Sequence, residues 1–244
     1  MSVTPVLLPG NMCDARLWRG GEEVLVKMLA DQRFDPAFDA SLAQDDSIAA
    51  MAQRALSDTT GQLLLIGFSM GSIVAVEMAV QAPDKVVGLV LAGYNATADL
   101  PERAAHRPVQ QAEVRAGGLE RVLVEELKPN YLAEQNRGDS ELLGLLRDMG
   151  MVLGEEVFIR QSEALRLRDD RRNAITALKI PVLYTCGAED ALCPPAWHQR
   201  WTAITLNARF VEIAGAGHML PLEAPHDFAS TIEIWLNDNI EDFA

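Results

Sequence analysis

The fold is decided by one run of residues, Leu63-Leu64-Leu65-Ile66-Gly67-Phe68-Ser69-Met70-Gly71, and by the helix-like segment that continues it from Ser72 to Val80. The four leading apolar residues are typical of a buried strand, and the next five read G-x-S-x-G. Between a strand and a helix, this pattern presents its serine at the tip of a sharp turn. Glycine is needed on both sides because the turn is strained and neighbouring chain comes close. The stretch therefore predicts that Ser69 is a nucleophile.

A serine hydroxyl needs a base to remove its proton and a third group to orient that base. Downstream, the strand-like run 180–186 leads into Gly187-Ala188-Glu189-Asp190, and the run 208–213 leads into Ala214-Gly215-Ala216-Gly217-His218. An acid and a histidine thus each follow the carboxyl end of a predicted strand, where open α/β sheets place their functional residues. The chain order serine, acid, histidine is the one expected for such a turn.

Four segments give the chain a resemblance to the α/β-hydrolase superfamily over nearly its whole length. They are Leu7-Leu8-Pro9-Gly10-Asn11 with Trp18, G-F-S-M-G at 67–71, G-A-E-D at 187–190 followed by Pro194-Pro195, and G-A-G-H-M-L-P-L-E-A-P at 215–225. The resemblance implies Ser69 as nucleophile, His218 as general base and acid, and Asp190 as the carboxylate that orients the histidine. No cofactor and no metal are implied.

Other assignments of the acid and the base stay open at this point. Glu189 is adjacent to Asp190 and is an alternative acid, although the family pattern favours the third residue after the glycine. His106, His198 and His226 follow no glycine at a strand end, so we expect surface or cap positions for them.

The resemblance also implies an oxyanion hole made of two backbone N–H groups, those of Met70 and Asn11, with Met12 as neighbour. Here the chain departs from the family, since it has Pro9-Gly10 where His-Gly is usual. The donor is a backbone amide, so this departure does not exclude catalysis. A second departure is Ser72, where many relatives have glycine, and we expect it to affect helix packing only.

The predicted architecture is an α/β-hydrolase fold with a mostly parallel sheet of about six strands, flanked by helices and carrying a helical cap. We expect crossover helices at 22–30 and 47–57, a core strand at 86–91, and a short or edge strand within 32–38, where aspartates and a proline weaken the pattern. The family's leading hairpin is not expected. Residues 1–96 and 178–244 would form the core.

Residues 97–177 would form the cap, because no strand pattern appears there and the gap is too long for a simple connection. Apolar residues recur at helical spacing in three stretches, 119–127, 142–149 and 157–165. Met149, Val152 and Phe158 are among the residues expected to face a pocket. A cluster of arginines alternates with Asp169 and Asp170, and it is either a salt-bridged turn, the favoured interpretation, or a carboxylate site. Its members are Arg166, Arg168, Arg171 and Arg172.

Composition limits the partners and the compartment. The formal net charge of −14 argues against nucleic acid and anionic membrane surfaces. No stretch of 18 apolar residues is present, and no basic leader precedes the first strand, so we expect no membrane span, no signal peptide and a cytoplasmic location. Cys13, Cys186 and Cys193 are expected to be free thiols, Cys13 in a packing role near the oxyanion loop. The oligomeric state is left open.

These expectations combine into a serine hydrolase that cleaves a small carboxylic ester or lactone. Ser69 argues against relatives that use an aspartate nucleophile. Met219 argues against hydroxynitrile lyases, which have lysine at that position. A carbon–carbon bond hydrolase or a synthase like that of the menaquinone pathway would use the same triad and stays open. A non-catalytic small-molecule receptor of the same fold is a further alternative.

Overall fold

The computed structural model describes residues 3–32, 34–127 and 131–239. Its centre is a sheet of six strands in the order β2-β1-β3-β4-β5-β6, in which every neighbouring pair is parallel. The strands are β1 (Val3–Leu8), β2 (Phe38–Asp39), β3 (Gln62–Phe68), β4 (Val86–Ala92), β5 (Val182–Gly187) and β6 (Ala208–Ile213). The prediction of an α/β-hydrolase fold with about six strands is confirmed.

The sheet is covered on both faces, which is why its central strands read as continuous apolar runs instead of alternating with polar residues. Successive side chains of a strand point to opposite faces. In β3, Leu63 and Leu65 accordingly join one hydrophobic core, whereas Leu64 and Ile66 join the other. Two cores on either side of one sheet hold the molecule together.

Helices cover the two faces of the sheet. One core contains residues of α1 (Gly20–Ala30) and α10 (Pro225–Asp238), and the other contains residues of four helices that are absent from the first core. These are α2 (Ile48–Ser57), α3 (Met70–Gln81), α7 (Arg172–Ala177) and α8 (Pro195–Ile204). The predicted crossover helices α1 and α2 are confirmed. Ser47 caps α2, since its hydroxyl oxygen accepts a hydrogen bond from the Ala50 N–H at 3.2 Å.

The weak strand predicted within 32–38 is short and lies at the edge of the sheet, as expected. Its position is displaced, because β2 begins only at Phe38 and pairs with β1 through Phe38 and Asp39. Pro36 has no N–H to donate to a strand partner, which is consistent with pairing that starts beyond it.

Between β4 and β5, the described residues of the segment 97–177 contain helices and no strand. They form α4 (Pro101–Glu113), α5 (Leu119–Arg121) with a π-helical turn on each side, and α6 (Ser140–Arg166). Helix α6 bends at Gly154, whose φ of 82° is outside the helical range. Three short elements complete the described chain, the 3₁₀ turns Ala15–Arg19 and Glu134–Asn136 and the helix α9 (Leu220–Glu223).

The parallel strands end together at one edge of the sheet, with Phe68 of β3 paired to Ala92 of β4 and Gly187 of β5 paired to Ile213 of β6. The loops that follow β1, β3, β5 and β6 therefore lie side by side at that edge. None of the described helices has the length and apolar character needed to span a bilayer.

Candidate active site

Ser69 occupies the turn between β3 and α3 in a strained backbone conformation, with φ 51° and ψ −113°. The glycines on either side allow the close contacts that this turn needs. A Cβ on Gly67 would lie 2.6 Å from the backbone of Gly71 and Ser72, and one on Gly71 would lie 1.9 Å from the Leu8 carbonyl oxygen. The local sequence thus presents the Ser69 hydroxyl at the start of α3, where the helix dipole favours negative charge.

Ser72 holds this turn through its side-chain hydroxyl. Its buried hydroxyl lies 2.8 Å from the Gly67 carbonyl oxygen and 2.9 Å from that of Ala92. The first turn of α3 is thereby tied to the ends of β3 and β4. Ser72 therefore contributes to holding α3 against the sheet.

His218 lies between Ser69 and Asp190 in a continuous chain of hydrogen bonds. Its Nδ1 is 2.8 Å from Asp190 Oδ2, and its Nε2 is 3.0 Å from Ser69 Oγ. Because a carboxylate only accepts hydrogen bonds when it is ionised, the matching tautomer has its proton on Nδ1, and this N–H donates a hydrogen bond to Asp190. Nε2 is then the acceptor for the Ser69 hydroxyl, which is the arrangement that a general base needs.

Asp190 is fixed by its second oxygen, and Glu189 is directed elsewhere. Asp190 Oδ1 accepts hydrogen bonds from the backbone N–H groups of Leu192 at 2.9 Å and Cys193 at 2.8 Å. The exposed Glu189 carboxylate accepts one from the backbone N–H of Glu134 at 2.9 Å. Of the two adjacent acids, Asp190 is therefore the one in contact with His218.

In the described structure, none of the other three histidines forms a hydrogen bond with Ser69 Oγ. His106 is exposed on α4 and His226 is exposed on α10, as expected. The expectation of a surface or cap position for His198 is wrong, since this side chain is buried in α8. Its Nε2 accepts a hydrogen bond from the Tyr94 N–H at 2.9 Å, and burial lowers its pKa to about 4. It is a neutral core residue.

The loop that carries His218 is held by residues whose role the sequence did not indicate. The backbone N–H of His218 donates to the Tyr131 carbonyl oxygen at 2.7 Å. Glu223 accepts from the backbone N–H of Gly217 at 2.9 Å and of Ala133 at 2.7 Å. Glu223 stands in the quoted segment 215–225, yet its partner Ala133 is 90 residues away in the chain. A pattern of neighbouring residues cannot predict a contact over such a distance in the chain.

The predicted oxyanion donors face the same region as Ser69. Met70 is the first residue of α3, where a helix N–H has no acceptor inside the helix. Within the described part of the chain, the Asn11 N–H donates no hydrogen bond to protein. Gly10 brings the loop close, since a Cβ there would lie 3.4 Å from Ser69 Cβ and within 3 Å of the Phe68 ring. Neither predicted donor therefore has a hydrogen-bond acceptor within the described protein.

Gln161 of α6 holds the loop that follows β1 in place. It is the main residue near the site that the sequence did not reveal. Its Oε1 accepts hydrogen bonds from the Met12 N–H at 2.8 Å and from Asn11 Nδ2 at 3.1 Å. Its Nε2 donates to the Leu42 carbonyl oxygen at 3.0 Å. The sequence placed Gln161 on an apolar helical stripe, but its partners lie about 150 residues earlier in the chain.

A cavity of about 540 Å³ opens over Ser69. Its floor is formed at the carboxyl edge of the sheet by Asn11, Ser69, Met70 and His218. Its walls include side chains of the segment 97–177, among them Arg103, Arg107, Tyr131, Leu165 and Arg168. The segment therefore encloses the space next to the serine hydroxyl.

The three residues expected to face the pocket do not line this cavity. Met149 is buried in the core that contains α1 and α10, and Phe158 is buried in a third core that joins the segment to Met12. Val152 is 73% exposed. That expectation is wrong because helical spacing identifies a buried face without identifying what lies against it.

All four arginines of the 166–172 cluster are paired with carboxylates. Arg166 binds Glu163, Arg172 binds Asp170, and Arg171 binds both Glu77 and Asp169. Arg168 differs from the rest, because it is buried beside the cavity and binds Asp99 at 2.8 Å. The arrangement corresponds to a salt-bridged turn, with one member turned inward.

The three cysteines are free and buried. Cys13 lines the cavity beside the oxyanion loop, where burial raises the pKa of its thiol to about 12, so it is a neutral packing group at physiological pH. Among residues 3–32, 34–127 and 131–239, no group of three or more His, Cys, Asp or Glu side chains has metal-site geometry.

Comparison with known proteins assigns the chain to a family. The family described as the alpha/beta hydrolase family matches residues 6–231 of the chain. Among solved structures, a thermophilic esterase from Thermogutta terrifontis superposes with a TM-score of 0.86 at 26% identity, covering 98% of this chain and 90% of its own.

Two curated relatives are similar in sequence. The biotin biosynthesis bifunctional protein BioHC of Cellvibrio japonicus is 25% identical over 93% of this chain and 46% of its own length. The chain thus spans less than half of that relative. A pimeloyl-[acyl-carrier protein] methyl ester esterase of Yersinia pseudotuberculosis is 27% identical over 79% of this chain and 76% of its own length.

Proposed function

The chain belongs to the alpha/beta hydrolase family, and we propose that it is a serine hydrolase that cleaves a small carboxylic ester or lactone through an acyl-enzyme on Ser69. The hydrogen-bond chain from Ser69 Oγ through His218 to Asp190 is the observation that carries this proposal. Relatives named as esterases from Thermogutta terrifontis and Yersinia pseudotuberculosis support the choice of an ester bond.

In the proposed reaction, Ser69 Oγ attacks the substrate carbonyl carbon while His218 Nε2 takes the hydroxyl proton. Asp190 keeps the imidazole in the required tautomer and stabilises the imidazolium that forms. The N–H groups of Met70 and Asn11 bind the oxyanion of the tetrahedral intermediate, which is usually the largest contribution to rate in this chemistry.

The intermediate then collapses, and the C–O bond to the leaving alcohol breaks as His218 returns the proton to that oxygen. Water enters, gives a proton to His218, and attacks the acyl carbonyl. The second intermediate releases the carboxylic acid and restores the Ser69 hydroxyl. In a lactone the alcohol stays attached to the acyl group, so both steps act on one molecule.

We further propose that residues 97–177 act as a cap that selects the substrate, with residues 1–96 and 178–244 as the catalytic core. Support comes from the cavity, whose floor belongs to the proposed core and whose walls include α4, Tyr131 and Arg168. A volume of about 540 Å³ is in the range of small-molecule sites. The substrate class is accordingly a small molecule.

Intact-mass analysis after treatment with a fluorophosphonate tests the nucleophile. We expect one covalent adduct on the wild-type protein and none on Ser69→Ala, with a strongly slowed reaction for His218→Ala. A parallel panel of ester and lactone substrates gives the turnover. Labelling of Ser69→Ala at the wild-type rate would contradict the proposal. Absence of an adduct on the wild type would favour a receptor that binds without turnover.

A further inference from the structure

Three arginines, Arg103, Arg107 and Arg168, line one part of the cavity over Ser69. All three come from the segment 97–177, and they stand out in a chain with a formal net charge of −14. This part of the cavity has an uncompensated positive charge only if at least one of these guanidinium groups lacks a carboxylate partner of its own in the protein.

Arg107 and Arg168 share a single carboxylate. Arg107 Nε lies 2.6 Å from Asp99 Oδ2, and Arg168 Nη1 lies 2.8 Å from Asp99 Oδ1. The side chains of Asp99 and Arg168 are only 1% and 5% exposed. Arg168 also donates to the Thr97 carbonyl oxygen at 3.0 Å, so its guanidinium is held by the protein on more than one side. Two cations and one anion leave one positive charge uncompensated here.

Arg103 has no such partner. In the part of the chain that the structure describes, no carboxylate oxygen lies within 4.0 Å of its guanidinium and no protein acceptor takes a hydrogen bond from it. The side chain is half-buried in the cavity wall. Burial raises the pKa of Tyr131 and Cys193, and the charge of Arg103 acts in the opposite direction on both. These two residues also line the cavity, so Arg103 carries its charge into it.

The acidic residues of the cavity wall do not supply the missing partner. Glu126 accepts hydrogen bonds from Gln110 at 2.9 Å and from Arg121 at 2.7 Å. Glu102 lies on the first turn of α4 and is exposed to solvent. An anionic ligand could therefore pair with Arg103 without first breaking an ion pair of the described protein.

We propose that Arg103 binds a carboxylate of the substrate, so that the preferred substrate is an ester or lactone bearing a second, ionised carboxyl group. The planar guanidinium offers parallel N–H donors that match a carboxylate in a way that few other groups do. The inference rests on the proposed ester hydrolysis and adds the class of acid that is recognised. Because the chain as a whole repels anions, selectivity for an anion requires a local cation such as this one.

Paired substrates test the assignment. The probes are the mono-p-nitrophenyl ester of glutaric acid, which is anionic, and p-nitrophenyl hexanoate, which is neutral and of similar length. For Arg103→Gln, we expect the ratio of kcat/KM for the anionic over the neutral ester to fall about 10- to 100-fold, as for loss of a hydrogen bond to a charged group. Arg103→Lys should keep part of the preference, since it retains the charge without the planar donors.

Arg115→Gln is the matched control, because Arg115 is an exposed arginine of the same segment and does not line the cavity. For Arg115→Gln, the ratio of kcat/KM for the anionic ester over the neutral ester should equal that of the wild type. A ratio that is the same for Arg103→Gln and the wild type would overturn the inference and leave ester hydrolysis standing.

A binding measurement separates the two proposals. Calorimetric titration of the Ser69→Ala protein with glutarate requires no catalysis, and we expect binding that is lost in the Ser69→Ala, Arg103→Gln double variant. Binding that depends on Arg103, found together with no ester turnover by the wild type, would reject the hydrolase and keep the carboxylate site. Glutarate binding that is unaffected by Arg103→Gln would reject the carboxylate site.

Discussion

The side-chain oxygen of Gln161 accepts a hydrogen bond from the backbone N–H of Met12 at 2.8 Å. This contact joins α6 to the loop that follows β1, and the same oxygen holds Asn11 Nδ2 at 3.1 Å. The loop that would bind the oxyanion is thus positioned by a helix of the segment that encloses the cavity. A change in that helix can therefore act on catalysis without touching Ser69.

Replacing Gln161 by methionine keeps its length and removes these hydrogen bonds. We expect kcat to fall about 10- to 100-fold, because small displacements of groups that stabilise the transition state are costly. KM should change much less, since the oxyanion contacts strengthen only in the transition state. Steady-state kinetics on p-nitrophenyl acetate measures both parameters.

Gln111→Met is the matched control for Gln161→Met. Gln111 is also buried, and it donates to Ser162 Oγ of α6 at 3.2 Å without contacting the oxyanion loop. It should lower the melting temperature while leaving kcat near the wild-type value. An equal loss of kcat in both variants would mean that Gln161 acts through general stability only.

Asp190→Asn should lower kcat by about 10⁴-fold, as the corresponding change does in a serine protease, because the amide favours the wrong imidazole tautomer. The Oδ1 contacts with Leu192 and Cys193 can be kept by the asparagine oxygen, so the fold should persist. Glu189→Gln, one residue earlier, should retain activity. A larger loss for Glu189→Gln than for Asp190→Asn would reverse the assignment of the acid.

His198 should make the protein less stable at mildly acidic pH. Its pKa is lowered by burial from 6.5 to about 4 in the folded protein, so the unfolded chain binds more protons between these values. The free energy of unfolding is therefore unaffected by protonation of His198 above about pH 6.5. It falls as the pH drops toward about 4, by on the order of 3 kcal/mol in total. Urea unfolding at pH 7 and at pH 5 measures the difference.

His198→Gln should weaken this pH dependence, because the amide oxygen can accept from the Tyr94 N–H without binding a proton. His226→Gln, at an exposed position of α10, should leave it unchanged. If wild type and His198→Gln lost the same stability between pH 7 and pH 5, another group would be responsible.

Gly71→Ala should destabilise the protein by about 1–3 kcal/mol or more, since the added methyl group would enter the backbone around Leu8. Gly144→Ala is the control within α6, where a Cβ meets no atom within 4 Å. That change should stabilise the protein by about 0.5–1 kcal/mol, the helical preference of alanine over glycine. Thermal unfolding of both variants measures the contrast. Equal changes in stability for the two variants would indicate that the backbone of β1 shifts to accommodate the added methyl group.

The sequence by itself determined the sheet and the positions of Ser69, Asp190 and His218 at its carboxyl edge. Those signals are local, because an apolar run defines a strand and the next few residues form the loop at its end. Parallel strands that end at one edge then bring distant loops together. The helices α1 and α2 were predictable for the same reason, whereas the short edge strand was expected within 32–38 and begins only at Phe38.

Only the tertiary structure decided which side chains surround the serine. Helical periodicity led to the expectation that Met149, Val152 and Phe158 face the pocket, yet none of them lines it. Gln161, for which no such role was expected, reaches the loop at Asn11, 150 residues away. Arg103 gave no signal in the sequence, since its importance lies in the partner that it lacks within the described structure. Contacts between distant segments depend on how the helices pack over the sheet, and a pattern confined to neighbouring residues does not contain that information.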